Sequence, residues 1–299
     1  MAFEAADAFL VTLGAEQVLA ASERRLELAG RTLEDATARR DAALVGANDV
    51  TKAELELATA ERDAARSRAE AASARLALGY LIGAAVDGAL VPPADLGDPR
   101  TSEAPADLLA RARRLRSDAA SARLRAEQAD RIAAAPLLGA LPTLELVGEY
   151  TRSSSQGAFG LDPDWFVGAD LTWTLYDGGE RYADRDEKRA LHRVAALRAQ
   201  AAERSVDVEV RQAVVAVEAA RVARAKAEAA ALAARKNADE VTGLYREGLA
   251  TALDVADASV RAYSAELTTV GERYAQAQSV LQLREALGLD PAGREVAAP

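Results

Sequence analysis

The chain of 299 residues contains no cysteine, a single histidine and only 4% aromatic residues. The lack of cysteine excludes disulfides, thiol catalysis and thiolate metal sites. The low aromatic content excludes a large aromatic-rich globular core, and alanine makes up much of the hydrophobic half of the chain. Small apolar side chains at helical spacing favour close packing of helix on helix instead.

The charge balance and the hydropathy of the chain exclude two further classes. The formal net charge is −10, whereas a nucleic-acid-binding protein needs a basic face, so we expect no nucleic-acid partner. The chain has no apolar run long enough for a transmembrane helix. The first residues, MAFEAADAFLVTLGAEQ, include acidic side chains and no basic segment, so we expect that they are not a signal peptide.

The reactive side chains form no recognisable catalytic or metal-binding pattern. No nucleophile–base pair, carboxylate dyad or metal cluster stands out from the scattered Asp and Glu residues. The one histidine, His192, lies in a highly charged helical stretch and is expected to be solvated. We therefore expect no enzymatic activity, no cofactor and no metal.

Most of the chain shows apolar residues at spacings of three and four, which is typical of amphipathic helices. The breaks in this pattern predict helices over about residues 3–41, 49–82, 105–135, 180–246 and 252–287. Asp49 is expected to be the N-cap of the second helix, and Pro136 is expected to end the third. The longest helix would extend about 100 Å at 1.5 Å per residue. The predicted fold class is mainly α, with long coiled-coil-like helices and a small β part.

Two stretches between the helices alternate with a period of two, at residues 142–151 and 165–176. Each is about ten residues long, which is enough to cross a bilayer when the strand is tilted. In the second stretch the apolar side chains fall on one face and the polar side chains on the other. The pattern predicts a β-hairpin over 142–176 with one face towards lipid and the other towards a wet lumen.

The two ends of the chain repeat each other. A shift of 205 positions brings Asp49 onto Asp254 and Gly83 onto Gly288 without a gap. Further matches at Val, Glu, Arg and Leu in the same register favour a true duplication over chance. The predicted domains are the C-terminal part of repeat 1 with a connector (1–101), repeat 2 with its hairpin and a long helical hairpin over 180–288 (102–290), and a loose tail (291–299).

Three segments carry a family resemblance. They are the strand-to-helix junction LTWTLYDGGER at 171–181, the turn YREGLATALDVADA at 245–258, and the closing run from Leu281 to Gly288. In this order and spacing they resemble the TolC-type outer-membrane efflux protein family. The resemblance covers essentially the whole chain, from Phe3 to about Asp290.

The resemblance implies a homotrimer in the outer membrane and periplasm of a Gram-negative bacterium. Strands from each protomer form one β-barrel surrounded by outer-membrane lipid, and the long helices continue it as a periplasmic α-helical barrel. A periplasmic adaptor and an inner-membrane pump join this duct. The implied function is the exit duct of a tripartite efflux pump or a type I secretion system, which passes substrates from the periplasm to the exterior.

The chain departs from the family pattern at its N-terminal side. We expect it to contain only half of the family's strands and no export signal. A repeat 1 counterpart of the hairpin would begin roughly 63 residues before Met1. We therefore expect an N-terminally shortened member of the family.

Three other interpretations remain open. The chain is a soluble oligomeric helical scaffold if the hairpin does not face lipid. It is a non-functional fragment of such a channel if the shortened form does not assemble. A periplasmic adaptor also has long helical hairpins, but it would carry a lipoyl-like β-domain that is not recognisable in this sequence.

The resemblance also assigns residues to a pore constriction, namely Asp254, Asp257, Tyr245 and Asp49. Asp254 and Asp257 are three positions apart and share a helix face, so a three-fold assembly would place them in acidic rings that attract cations. In the family's closed state the tyrosine bonds to the aspartate at position 49. An arginine completes that network where this chain has Ala250. The alternatives are an N-cap with a solvated first turn for the aspartates, and ordinary helix packing for Tyr245.

Two more sets of residues follow from the resemblance. The expected adaptor-docking tips contain Val45, Gly46, Gly248, Leu249 and Thr251, and the expected membrane-interface aromatics are Tyr150, Trp165, Trp173 and Tyr176. The alternatives are a plain helix–helix connection for the tips and core packing for the aromatics. Because repeat 1 has Ala43 where repeat 2 has Gly248, we expect the two tips to differ in shape.

Overall fold

The computed structural model describes residues 1–92, 104–138, 141–151 and 164–295. The elements are α1 (Ala2–Asp41), α2 (Ala47–Ile82), α3 (Pro105–Leu115), α4 (Ser117–Leu138), β1 (Thr143–Thr151), β2 (Asp164–Thr172), α5 (Glu180–Arg246) and α6 (Ala252–Ala286). This confirms the predicted fold class of long helices with a small β part. The chain divides into two compact units, one of residues 1–116 with 206–299 and one of residues 117–205.

The core of the first unit is a seam of small side chains between long helices. In α2 the buried positions Ala53, Ala60 and Ser67 recur every seven residues, and α1 repeats the spacing at Ser22, Ala29 and Ala36. A seven-residue repeat keeps one stripe of each helix against its neighbour, as in a coiled coil. Alanine and serine at the seam allow the helix backbones to approach closely, which explains the alanine-rich composition.

Polar side chains tie α1, α2 and α6 together within this seam. The buried hydroxyl of Ser22 lies 2.8 Å from the hydroxyl of Ser67 and 2.7 Å from that of Tyr263. One turn away, the Arg25 guanidinium donates to Glu56 at 2.7 Å and to Asp63 at 2.8 Å. The same guanidinium lies 4.7 Å from the centre of the Tyr263 ring. Buried polar groups of this kind need partners at fixed positions, so they set the register of the three helices.

The turns of the two helical hairpins have the same backbone, which corrects the expectation that the tips differ in shape. In repeat 1 the Leu44 N–H donates to the Arg39 carbonyl at 2.9 Å, and the equivalent bond in repeat 2, from Leu249 to Leu244, is 2.8 Å. Both turns contain a left-handed residue at the matching position, with φ of 58° at Ala43 and 79° at Gly248. The hydrogen bonds of the turn hold Ala43 in a conformation that alanine alone would avoid.

The third predicted helix differs from the structure at two points. The structure breaks it at Arg116, whose backbone is extended, and Gly288 packs against this break so closely that a Cβ on Gly288 would lie 3.1 Å from the Leu115 carbonyl carbon. The expectation that the helix stops before Pro136 is also wrong, since α4 continues to Leu138.

The second unit contains the antiparallel hairpin of β1 and β2. The directly paired residues that share its apolar face are Leu144–Leu171, Leu146–Ala169, Gly148–Val167 and Tyr150–Trp165. The alternate pairs, which include Glu145–Asp170 and Glu149–Phe166, form the more polar face. The predicted two-faced hairpin is therefore present, although β2 ends at Thr172 rather than at Tyr176.

Two connections complete the fold. At the strand-to-helix junction the Asp177 carboxylate accepts the N–H of Gly179 at 3.1 Å and the N–H of Arg181 at 3.2 Å, which caps the start of α5. The tail was expected to be loose from residue 291, but its described part is folded. The Asp290 N–H donates to the Arg294 carbonyl at 2.9 Å, and Glu295 pairs with Arg114 at 2.8 Å. Residues 296–299 and the connector at 93–103 lie outside the described residues.

Candidate functional site

The tip of the second helical hairpin is built around Tyr245, at the C-terminal end of α5. The Tyr245 side chain is buried against Ala252 and Val255 of α6. Burial, together with the nearby carboxylates of Asp35 and Asp49, raises the pKa of the Tyr245 hydroxyl above its usual value. Among the described residues this buried hydroxyl has no hydrogen-bond partner.

Asp49 does not take the place expected for it. The N-cap of α2 is Gly46, whose extended backbone (φ −83°, ψ 163°) allows the helix to begin at Ala47. Asp49 is thus the third helical residue, where its charge is favoured by the helix dipole. Asp49 lies near Tyr245, but within the described chain no hydrogen bond joins them, so the bond expected from the family's closed state is absent here.

A different side chain contacts Tyr245. The guanidinium of Arg39, in the last turn of α1, lies 4.5 Å from the centre of the Tyr245 ring. Its Nη1 donates to the Tyr245 carbonyl at 3.0 Å. Sequence reasoning missed Arg39, because nothing in its local pattern distinguishes it from the neighbouring Arg40.

Asp254 and Asp257 lie on the exposed first turns of α6. The N-cap is Thr251 rather than Asp254, and the two residues form a capping box. The Asp254 carboxylate accepts the Thr251 N–H at 2.8 Å and the Thr251 hydroxyl at 2.7 Å. The bond from the Thr251 hydroxyl, followed by that from its N–H, lowers the pKa of Asp254 below its ordinary value. Asp254 therefore stays ionised and exposed, and the structure places Asp257 beside it on the same helix face.

The predicted tip residues are on the surface of the two turns. Gly46, Gly248, Leu249 and Thr251 are exposed, and Val45 is half-buried. Leu249 is a large apolar side chain on an exposed turn, and its repeat 1 counterpart, Leu44, is exposed in the same way. Leu44 was missed in the sequence, although the shift of 205 positions that matches the repeats also matches these leucines.

The four predicted interface aromatics are exposed but not equivalent. Tyr150 and Trp165 are directly paired at one end of the hairpin, on its apolar face. Trp173 and Tyr176 come after the last residue of β2 and are exposed in the segment that leads to α5.

The described residues contain no other conspicuous chemical centre. No group of three or more His, Asp or Glu side chains in them is arranged to hold a metal ion. No helix in the described ranges combines the length and the apolar character that a membrane span requires. The His192 ring lies 3.6 Å from the Asp130 carboxylate on a partly exposed surface.

Comparison with known proteins places this geometry in a family. Residues 104–289 match the family model described as outer membrane efflux protein, which is more than half of the chain. The chain belongs to the outer membrane efflux protein family. This family consists of channel proteins rather than enzymes, and the matched region contains the hairpin, α5, the capped tip and α6.

Individual relatives of this efflux family member agree with that assignment. The chain is 30% identical over 196 residues to the outer membrane protein TolC of Vibrio cholerae, and the alignment covers 63% of this chain and 44% of that protein. The efflux family chain thus matches less than half the length of this curated relative. Homologues of this kind are outer-membrane proteins of Gram-negative bacteria.

Two solved structures show the same fold. The outer membrane protein VceC of Vibrio cholerae has a TM-score of 0.78 at 20% identity, covering 96% of this chain and 69% of that one. The CmeC outer membrane channel of Campylobacter jejuni has a TM-score of 0.75 at 17% identity, with coverage of 99% and 63%. The long helices and the hairpin of this family member therefore share the fold of these TolC-like helical-barrel channels.

Proposed function

We propose that the chain is a protomer of an outer-membrane exit duct, which passes substrates from the periplasm to the exterior in a tripartite efflux pump or a type I secretion system. The observation that carries the proposal is the two-faced hairpin. Leu144, Leu146, Val167 and Leu171 are all exposed on its apolar face. Such a contiguous apolar surface is unfavourable in water and is matched by the hydrocarbon core of a bilayer.

The hairpin also argues for an oligomer, which the family resemblance makes a homotrimer. A two-stranded sheet is marginally stable alone, and within a bilayer the free edges of β1 and β2 must be paired. Strands from further protomers supply these partners and put Glu145 and Asp170 on the inner, wet face of a closed barrel. This arrangement accounts for both faces, whereas a soluble scaffold leaves the apolar face unexplained.

We assign the charge selectivity of the duct to Asp254 and Asp257. Both carboxylates are exposed on one face of α6, and the capping box keeps Asp254 ionised. Three-fold symmetry turns each residue into a ring of negative charge, which raises the local concentration of cations and disfavours anions. Tyr245 packs against Ala252 and Val255 in the same first turns of α6 and so supports the segment that carries both carboxylates.

The two tips are the proposed contact for a periplasmic adaptor that also engages an inner-membrane pump. Each tip is a tight turn with one exposed leucine, Leu44 in repeat 1 and Leu249 in repeat 2. Because the two turns share their hydrogen bonds, one protomer offers two similar docking sites. Tyr150 with Trp165 at one end of the hairpin, and Trp173 with Tyr176 beyond the other, would lie at the membrane interfaces.

Planar-bilayer recording tests this function. The full chain should form channels that prefer cations, and a chain that gives no conductance contradicts the channel proposal. The double variant Asp254→Asn with Asp257→Asn should lose most of the cation preference while still forming channels. The matched control is Asp184→Asn with Glu187→Gln, which removes the same charge at the same spacing from α5. Equal selectivity of the two double variants would contradict the acidic rings.

A further inference from the structure

The contact between Arg39 and Tyr245 joins two helices that are far apart in sequence. Besides the bond from Nη1 to the Tyr245 carbonyl at 3.0 Å, Nη2 of Arg39 lies 3.5 Å from the Arg246 carbonyl. On its own helix, Nε of Arg39 is 3.4 Å from the Asp35 carboxylate. The guanidinium therefore bridges α1 to the last residues of α5.

The carbonyls of Tyr245 and Arg246 belong to the last turn of α5, where carbonyls have no following helical N–H to accept. The C-terminal end of a helix also carries partial negative charge, which a cation stabilises. The Tyr245 carbonyl accepts in addition the N–H of Gly248 at 3.1 Å, a bond that shapes the tip turn. Arg39 thus donates to the Tyr245 carbonyl, the same group whose bond to Gly248 shapes the turn at the end of α5.

The ring of Tyr245 supplies the second half of the contact. The Arg39 side chain is 21% exposed and Tyr245 only 5%, so the guanidinium and the ring meet in a mostly dry environment. A cation over an aromatic face is attracted more strongly when water is removed. The Tyr245 hydroxyl takes no part, since it has no partner among the described residues.

Only one of the two repeats has the residues for this contact. The shift of 205 positions places Leu244 opposite Arg39 and Arg40 opposite Tyr245, so the mirror contact is not encoded. We propose that Arg39 is a positioning residue that clamps the C-terminal end of α5 and its tip turn to α1. If the chain forms the proposed channel, this clamp also holds the pore constriction narrow; that consequence rests on the proposed function.

Hydrogen–deuterium exchange of the full chain tests the clamp without reference to transport. The amides to follow are those of Gly248 and Leu249, whose bonds to Tyr245 and Leu244 close the turn. Arg39→Gln should speed their exchange about tenfold, because it removes the cation–π contact and a charged hydrogen bond. The matched control is Arg40→Gln, which removes the same charge from the same turn of α1; within the described part of the chain the Arg40 side chain bonds only to its neighbour Asp41.

Three further variants separate a clamp from general loosening. Arg39→Lys keeps a cation at the ring and should restore much of the protection. Tyr245→Phe should exchange like the unchanged chain, and Tyr245→Leu, which deletes the ring, should resemble Arg39→Gln. The proposal is overturned if Arg39→Gln and Arg40→Gln behave alike, or if Tyr245→Phe alone opens the turn.

Conductance then addresses gating. Faster exchange in Arg39→Gln together with a larger single-channel conductance supports the clamp as a brake on opening. A different result separates the two proposals. If exchange changes as stated but neither the unchanged chain nor any variant conducts, the clamp stands and the channel function is contradicted.

Discussion

Replacing Arg25 with methionine should destabilise the first unit more than any change of a surface arginine. The Arg25 side chain is 7% exposed and holds two carboxylates, Glu56 at 17% exposure and Asp63 at 22%. Methionine keeps the length and apolar character of the arginine stem but removes the charge. The carboxylates would then remain in the seam without the cation between them.

The size of the effect follows from what each carboxylate loses. Removing one partner of a buried ion pair costs about 3–5 kcal/mol. Asp63 also pairs with Arg62 at 2.6 Å and stays compensated, whereas Glu56 has no second cation among the ion pairs of the described residues. Because both carboxylates are partly solvated, we expect a smaller loss of roughly 2–3 kcal/mol, at or just below the low end of that range.

Urea unfolding followed by circular dichroism, at a fixed protein concentration, measures this loss as a shift of the midpoint. The matched control is Arg24→Met, since the Arg24 side chain is 60% exposed and its pair with Glu266 should contribute less than about 1 kcal/mol. Adding Glu56→Leu to Arg25→Met should recover much of the stability, because a buried pair replaced by apolar groups leaves no stranded charge. A loss below about 1 kcal/mol, or no recovery in the double variant, would refute the reasoning.

Two further predictions concern the tips. Ala43→Gly should raise the free energy of unfolding by about 0.5–1 kcal/mol, because the strain of the positive φ that glycine relieves exceeds the entropy that glycine adds to the unfolded chain. Gly248→Ala should lower the free energy of unfolding by a similar amount. Thermal or urea unfolding that shows a change of the same sign for both variants contradicts the shared turn. Thr251→Val should raise the pKa of Asp254 towards its ordinary value of 3.8, as measured by an NMR titration of the carboxyl. Since the pKa of Asp254 is lower in the folded chain than in the unfolded chain, the cap stabilises the fold above pH ~4 and loses this effect as the pH falls through the folded pKa. If the free energy of unfolding of Thr251→Val falls with acidification in the same way as that of the unchanged chain, the stabilising role of the cap is contradicted.

Local sequence signals predicted the helix bounds well where the turn chemistry was strong. The Asp-Gly-Gly run before α5 and the Glu-Gly-Leu-Ala-Thr run after it gave the bounds 180–246 that the structure shows. The break at Arg116 had only a weak local signal, the serine and aspartate that follow it. The break lies where Gly288 packs against Leu115 and Arg116, a contact between residues that are far apart in the chain, which no local pattern contains.

The same distinction applies to the candidate site. The position of Asp254 and Asp257 on one exposed helix face followed from a spacing of three, and the structure shows that face. The partner of Tyr245 did not follow, because Arg39 lies 206 residues away and an expectation borrowed from the family pointed to Asp49 and to position 250 instead. A resemblance transfers the backbone reliably, whereas side-chain contacts depend on residues that differ between members.

The two repeats of this chain illustrate why. Their turns agree in hydrogen bonding and in the positive φ of the matching residue, although that residue is Ala43 in repeat 1 and Gly248 in repeat 2. Their ties differ, since the positions equivalent to Arg25, Glu56 and Asp63 hold Ala230, Arg261 and Thr268. The α1–α2 pair is therefore held together by charged side chains in its seam. In the α5–α6 pair the equivalent positions provide no such network, and the C-terminal end of α5 is instead held by Arg39 of α1. If the second pair is the one that moves, loosening Arg39 should free it while Arg25 continues to hold the first.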